Sequence, residues 1–331
     1  MSLRLHGDAL AEPGLLDFAV NTWPGPRSPQ LEAALRRALA STAYPSEREA
    51  RARIAARHGV EPAAVLAANG ACEVFWLIAH ALRPRRACCI HPAFTEPEAA
   101  LRAVGADVRH VFREPGAWRF DPASVPEDAE LVVVGNPNNP TGGLDARAHL
   151  LALLRPGRLV LVDESFMDFV PGEPESLAGT RRPGLAVLRS LTKLWALAGL
   201  RAGYLLAEPD LVKRLEANRQ PWSVNALACA ALATCADDRE TPARVAAEVT
   251  AEREGLVGAL AGLPGVRVWP GAANFLLLRL ADGPAAVARL REEGIAVRPA
   301  WTFPGLDERF VRVAVRRGED NRRLVEALAR C

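Results

Sequence analysis

Lysine is nearly missing from this chain: of its 41 basic residues only Lys193 and Lys213 are lysine. Arginine is too basic to act as a neutral amine nucleophile, so imine-forming chemistry is confined to those two positions. No G-x-G-x-x-G follows an early strand, which excludes the dehydrogenase reading of a parallel sheet. The six cysteines form no C-x-x-C and no His/Cys spacing suited to zinc, so no metal is expected. Reduced, buried thiols in the cytoplasm are the expectation, with Cys88 and Cys89 pointing to opposite faces of a strand. A net charge of +2, with basic residues spread along 331 positions, leaves no footprint for nucleic acid. No apolar run spans a bilayer: the one near Val74–Leu82 is too short and is interrupted by His80. The stretch Met1–Asp8 holds nothing of signal-peptide length.

What is present is alternation. Apolar runs at Arg86–Ile90, Leu131–Val134, Leu159–Val162 and Ala186–Leu188 read as buried strands. Helical patterns over Glu73–Leu82, Thr95–Val104 and Ala146–Leu154 lie between them, which predicts an α/β protein with a mainly parallel sheet covered on both faces. From about Val224 to Leu263 the spacing is helical. Strands at Val266–Trp269, Phe275–Leu280, Ile295–Arg298 and Phe310–Val315, closed by a helix over Glu319–Ala329, suggest a smaller α/β unit. The expected division is an arm over 1–30, a large domain over 31–223 and a small one over 224–331.

The chemistry concentrates around Ser190-Leu-Thr-Lys193 and Arg201. A lysine after a strand is most often a surface residue, and Lys213, in the amphipathic run Leu211–Glu216, reads that way. Lys193 is flanked instead by small hydroxyls and the apolar run Leu194–Leu200, where desolvation would lower its pKa and free the amine. Asp163 ends an apolar strand, the place where open α/β sheets bind ligands, and could pair with a protonated pyridine nitrogen; alone it is more often a helix cap or loop carboxylate. Asn136-Pro-Asn-Asn-Pro-Thr-Gly142 follows another strand and by itself is only a turn. Asn69-Gly70-Ala71-Cys72-Glu73 opens a helix whose N–H groups suit a phosphate, although a glycine turn before a helix is common.

In order and spacing these segments resemble the pyridoxal-phosphate (PLP) enzymes of fold type I, the aspartate-aminotransferase-like class I/II family, over nearly the whole chain. The resemblance implies that Lys193 carries the cofactor, Asp163 meets the pyridine nitrogen and Asn139 donates to the ring phenolate. It puts Gly70, Ala71, Cys72, Ser190, Thr192 and Arg201 at the phosphate and Phe94, in His91-Pro-Ala-Phe94, against the ring. Tyr44 resembles the tyrosine that reaches a partner subunit's phosphate, so a homodimer with a composite site is implied.

Within the family, Leu5-His-Gly7, Leu16–Asn21, Asp163-Glu-Ser-Phe166 with Asp168-Phe169, and Arg189–Lys193 are most similar to threonine-phosphate decarboxylases of cobalamin biosynthesis, akin to histidinol-phosphate aminotransferases. Phe166 stands where the aminotransferase branch has tyrosine. Ser165 and Thr22-Trp-Pro-Gly25 depart from the decarboxylase pattern. Arg298 and Arg312 share the fourteen-residue spacing of that family's substrate arginines, with His6, Gly7, Asn21 and Asn139 completing the implied subsite. Taken alone, Arg298 reads equally as a solvated strand end or a ligand contact, and Arg312, alternating with valines, leans outward-facing. The expectation is decarboxylation of a phosphorylated amino acid, with amino transfer from a phosphorylated amine as the alternative. A non-catalytic effector domain would need a DNA-binding module, for which no residues are expected to remain.

Overall fold

The computed structural model describes all residues except 1, 2, 4 and 26, so those four positions of the expected arm lie outside the described residues. Strand β1 (Leu16–Asp17) belongs to the arm. The main sheet then uses β2 (Val65–Asn69), β3 (Arg86–His91), β4 (Asp107–Phe112), β5 (Leu131–Gly135), β6 (Leu159–Asp163), β7 (Leu185–Ser190) and β8 (Ala202–Leu206). Its order is β2-β8-β7-β6-β5-β3-β4. All pairings from β7 to β4 are parallel, and β8 runs against both its neighbours.

The continuous apolar runs follow from burial on both faces. Leu66, Cys89, Val133 and Leu161 pack under helices Ala71–Leu82 and Glu96–Ala103, while Ala67, Cys88, Val132 and Val162 enter the opposite core. Cys88 and Cys89 thus point to opposite faces, as a period of two requires. Each such fully buried aliphatic side chain contributes roughly 1.5–3 kcal/mol. In register, Gly135 pairs with Asp163 and Asp163 with Leu188. The carboxyl ends of β5, β6 and β7 are therefore level, and the three segments that follow emerge along one rim.

The smaller sheet joins β9 (Arg267–Trp269), β10 (Phe275–Arg279), β12 (Arg298–Pro299) and β13 (Phe310–Ala314) in the order β12-β13-β10-β9, all antiparallel. The strand expected over Ile295–Arg298 is two strands. Its first half, β11 (Ile295–Ala296), leaves to pair parallel with β1 of the arm, and only Arg298–Pro299 joins β13. The helical stretch from Val224 also divides, into Ala226–Asp237 and Glu240–Ala261. Asp238 breaks it, accepting from the Thr241 N–H (2.9 Å) and hydroxyl (2.7 Å). The first of these helices packs on Pro29–Ala40 and Arg48–His58, the second on the turn Met167–Phe169, on β9 and on the last helix, Gly318–Leu328.

Candidate active site

The rim of the main sheet and the inner side of the smaller one enclose a cavity of about 640 Å³. Lys193 reaches it from the turn between β7 and the returning β8, a turn held in place where the Trp23 N–H donates to the Lys193 carbonyl (2.9 Å). Its Nζ lies 5.9 Å from the centre of the Phe166 ring. Burial, then the positive charges of Arg312 and Arg201, push the amine down to about 8, against the pull of Asp163 and Asp8. An amine in that range is a competent nucleophile near neutrality.

Asp163, Ser190 and Thr192 also line the cavity. Burial raises the Asp163 carboxyl above its usual range, opposed by Ser165 and Lys193. Ser165, a departure from the decarboxylase pattern, has a definite task here. Its hydroxyl (2.5 Å) and N–H (3.0 Å) both donate to Asp163 Oδ1, which favours the carboxylate. Phe166 packs edge-on against Phe275, centroids 4.9 Å apart.

An anion cradle forms where β2 turns into helix Ala71–Leu82. Gly70 adopts φ +81, and a Cβ there would meet Arg201 Nη2 at 2.4 Å. Only glycine lets that guanidinium lie against the backbone at the helix start. Ala71 and Cys72 in the first turn, the linked hydroxyls of Ser190 and Thr192 (2.8 Å apart) and Arg201 surround the same part of the cavity. Gly70 itself supports this wall from behind.

The loop after β5 is tied from within. Asn136 exchanges bonds with the Asp145 backbone, and Asn138 Nδ2 donates to the Pro92 carbonyl and the Thr141 hydroxyl. Gly142 meets Gly271 so closely that a Cβ on Gly142 would lie 2.7 Å from the Gly271 Cα. Asn139 is left to face the cavity. Its Oδ1 accepts from Arg312 Nη1 (2.6 Å), and because arginine only donates, the amide NH2 is the group available to a ligand acceptor.

Arg298 and Arg312 both face inward, Arg312 against its reading in isolation. They are buried, at 3% and 5% exposure, and line the cavity. Burial without a matching counter-charge pushes Arg298 down to about 10 and Arg312 to about 9, the latter also through Arg298. Arm carbonyls hold them: Arg298 donates to Leu5 and Arg312 to Ala19 (2.5 Å). Arg298 Nη1 and Arg312 Nε have no partner. His6, Gly7, Asn21 and Phe94 line the same space, the His6 and Phe94 rings 5.3 Å apart.

Tyr44 lies elsewhere, 76% exposed and stacked on Trp222 with centroids 4.6 Å apart. Glu96 is a lining residue that the sequence reading missed. It takes His6 Nε2 (2.8 Å), Trp76 Nε1 (3.1 Å) and the Cys72 thiol. In sequence it looks like an ordinary first-turn carboxylate of a helix. Behind the site, buried Arg189 joins Glu164 (3.1 Å), Glu173 (2.7 Å) and Asp168, fixing the end of β7.

A buried amine of lowered pKa, a carboxylate at a strand end, an amide donor and an anion cradle together fit a pyridine aldehyde phosphate. Residues 14–328 match the model of the family described as aminotransferase class I and II. The chain is 46% identical over 319 residues, 95% of its length and 87% of the relative's, to a histidinol-phosphate aminotransferase of Mycobacterium tuberculosis. It is 36% identical over 285 residues, 82% and 78% of the two chains, to a threonine-phosphate decarboxylase of Salmonella typhimurium. Its structure resembles the crystal structure of the histidinol-phosphate aminotransferase from Clostridium acetobutylicum with a TM-score of 0.89 at 25% identity, covering 95% and 98% of the two chains.

Proposed function

The chain belongs to the class I and II aminotransferase family, whose cofactor is pyridoxal 5'-phosphate, and on that premise we propose that it transfers an amino group between a phosphorylated amine and 2-oxoglutarate. The support for amino transfer is the 46% identity, over 95% of the chain, to a relative named histidinol-phosphate aminotransferase. This reverses the order of the two readings drawn from sequence. The observation that carries the substrate class is the pair of buried guanidinia, each with an unpartnered nitrogen, opening on the cavity that holds Lys193. A planar guanidinium meets a phosphate or carboxylate through two parallel hydrogen bonds.

When bound, the cofactor draws electrons from the substrate's α-carbon. Lys193 Nζ would hold the cofactor, and as a free amine it would carry the α-proton. Asp163 keeps the pyridine nitrogen protonated, Asn139 donates to the phenolate, and Phe94 covers the ring. Ala71, Cys72, Ser190, Thr192 and Arg201 would take the phosphate, with Gly70 behind them. Arg298 and Arg312, with His6, Gly7 and Asn21, grip the substrate's anionic groups and fix its rotation, which selects the bond that breaks. In the homodimer, Tyr44 crosses to the partner subunit's cofactor phosphate. Free thiols throughout the described residues fit a reducing compartment, and we place the enzyme in the cytoplasm.

Decarboxylation of threonine phosphate is the second reading. Its specific support is that one molecule of that substrate has two anionic ends for two arginines, whereas histidinol phosphate has one. Purified enzyme is given histidinol phosphate with 2-oxoglutarate, and separately carboxyl-labelled threonine phosphate. Glutamate without labelled CO₂ is the expected result. CO₂ release without glutamate overturns amino transfer in favour of the second reading.

A further inference from the structure

Behind the cavity wall, beside the edge strand β4, three side chains that do not line the cavity converge, and the proposed reaction does not use their chemistry. His91 ends β3, Glu98 lies in the first turn of helix Glu96–Ala103, and His110 is in the edge strand β4. One ligand atom from each falls within 4.8 Å of the others. His91 Nε2 is 3.0 Å from Glu98 Oε2, and His110 Nε2 is 2.9 Å from Glu98 Oε1. The His91 side chain has no exposure and Glu98 has 3%.

His110 Nε2 donates to Glu98 Oε1 and would exchange that bond for an ion, but the His91 side of the group is not satisfied as a hydrogen-bonded triad would be. Both ring nitrogens of His91 and Oε2 of Glu98 are buried without a hydrogen-bond partner, although Nε2 and Oε2 are close enough to bond. Two polar atoms that approach to 3.0 Å without pointing at one another are arranged like neighbouring ligands of a common centre. At metal–ligand distances of about 2.0–2.1 Å, tetrahedral donors stand roughly 3.3 Å apart. Arg102 Nε donates to Glu98 Oε1 (2.7 Å), which orients the carboxylate and leaves Oε2 as the free donor. The His110 side chain is 25% exposed, so an ion can enter from the strand edge and water can complete the shell.

We infer that His91, Glu98 and His110 bind one divalent cation of the zinc class, with a fourth position open to solvent. Two imidazoles and one carboxylate suit zinc, cobalt or nickel and not calcium or magnesium, which take oxygen ligands. The ion would pin together β3, β4 and the helix between them. Since His91 leads directly into Pro92-Ala93-Phe94, it would stiffen the segment that carries Phe94 to the cavity. Its role is structural, and the reaction does not depend on it. The sequence hides the site because its ligands sit seven and twelve residues apart on three elements.

The test uses untagged holoenzyme stripped with EDTA and titrated with zinc chloride by calorimetry, with cobalt chloride as an absorbing probe. One equivalent per chain is expected, with a rise in Tm. His110→Ala, on a part-exposed edge strand, and Glu98→Gln, which keeps the Arg102 hydrogen bond, should each weaken binding at least about tenfold, on the scale of losing one ligand contact. The visible cofactor band should be unchanged in both. Absence of stoichiometric uptake overturns the inference, and so does equal zinc affinity in the parent and the two folded variants.

Discussion

Replacing Arg312 by alanine should separate what this residue does for the fold from what it does for a ligand. Its guanidinium donates to Asn139 Oδ1 at 2.6 Å and to the Ala19 carbonyl at 2.5 Å, from a site 5% exposed. Truncation strands both acceptors at about 1–3 kcal/mol each, so roughly 2–6 kcal/mol of stability is lost. Against the middle of a typical range of about 5–15 kcal/mol the variant still folds, with a lower Tm. A ligand anion loses a buried charged partner, which costs about 2–5 kcal/mol and corresponds to roughly a 30- to 5,000-fold drop in kcat/KM. The Lys193 amine moves as well. Arg312 is, after burial, the leading cause that holds it down to about 8, so without that charge its pKa rises toward the ordinary 10.5. Below its pKa the amine is protonated and cannot take up the cofactor. In the parent, the rate at which cofactor-free protein regains its visible band should climb with pH to about 8 and then level off. In Arg312→Ala it should keep climbing beyond that point. Circular dichroism gives Tm, steady-state kinetics give kcat/KM, and stopped-flow absorbance gives the reloading profile. A folded variant with kcat/KM within about threefold of the parent, or with an unmoved reloading profile, would refute the reasoning.

Lys193→Ala should lose the visible cofactor band and its sensitivity to borohydride, whereas Lys213→Ala, on an exposed face of helix Pro209–Glu216, should retain both. Ser165→Ala removes the hydroxyl bond to Asp163 Oδ1 and leaves one N–H, so the carboxyl should rise further and kcat fall about tenfold at neutral pH, on the scale of one charge-assisted hydrogen bond. Unchanged kcat across the pH range would show that the hydroxyl is dispensable. Sedimentation should find a dimer at assay concentrations, and Tyr44→Phe should weaken cofactor retention while leaving the dimer intact. A fully active monomer would contradict the composite site.

The parts of the fold that could be read from sequence are those where burial leaves an unbroken mark. β5, β6 and β7 are continuous apolar runs because both faces are covered, and each ends in a segment with unusual chemistry. β4 escaped because only Val108 and Val111 of Asp107–Phe112 are buried, one on each face, which leaves neither a continuous apolar run nor a period of two. β2 and β8 were also passed over, being short strands rich in Ala and Gly on either side of the cradle. The split of Ile295–Pro299 between two sheets depends on pairing with Leu16–Asp17, nearly three hundred residues away, and no local pattern records it. In the site, Arg312 looked outward-facing because it alternates with valines, yet every residue of Phe310–Ala314 is buried. Glu96 is the reverse case: a helix-start carboxylate by sequence, it becomes a wall of the cavity because His6 comes to it from the arm.

Arg298 and Arg312 are already satisfied in part before any ligand arrives, by the carbonyl oxygens of Leu5 and Ala19. Under the proposed function the arm stands in for the anion at one nitrogen of each guanidinium, and a ligand that takes more than the free Arg298 Nη1 and Arg312 Nε enters by exchange. A full negative charge displaces a carbonyl dipole from a guanidinium readily; a hydroxyl or an amide gains little by doing so. Neutral analogues of the same shape then meet a wall that is occupied, not one that is merely less attractive. Selection for charge falls to a segment that needs no acidic or basic side chain of its own to impose it.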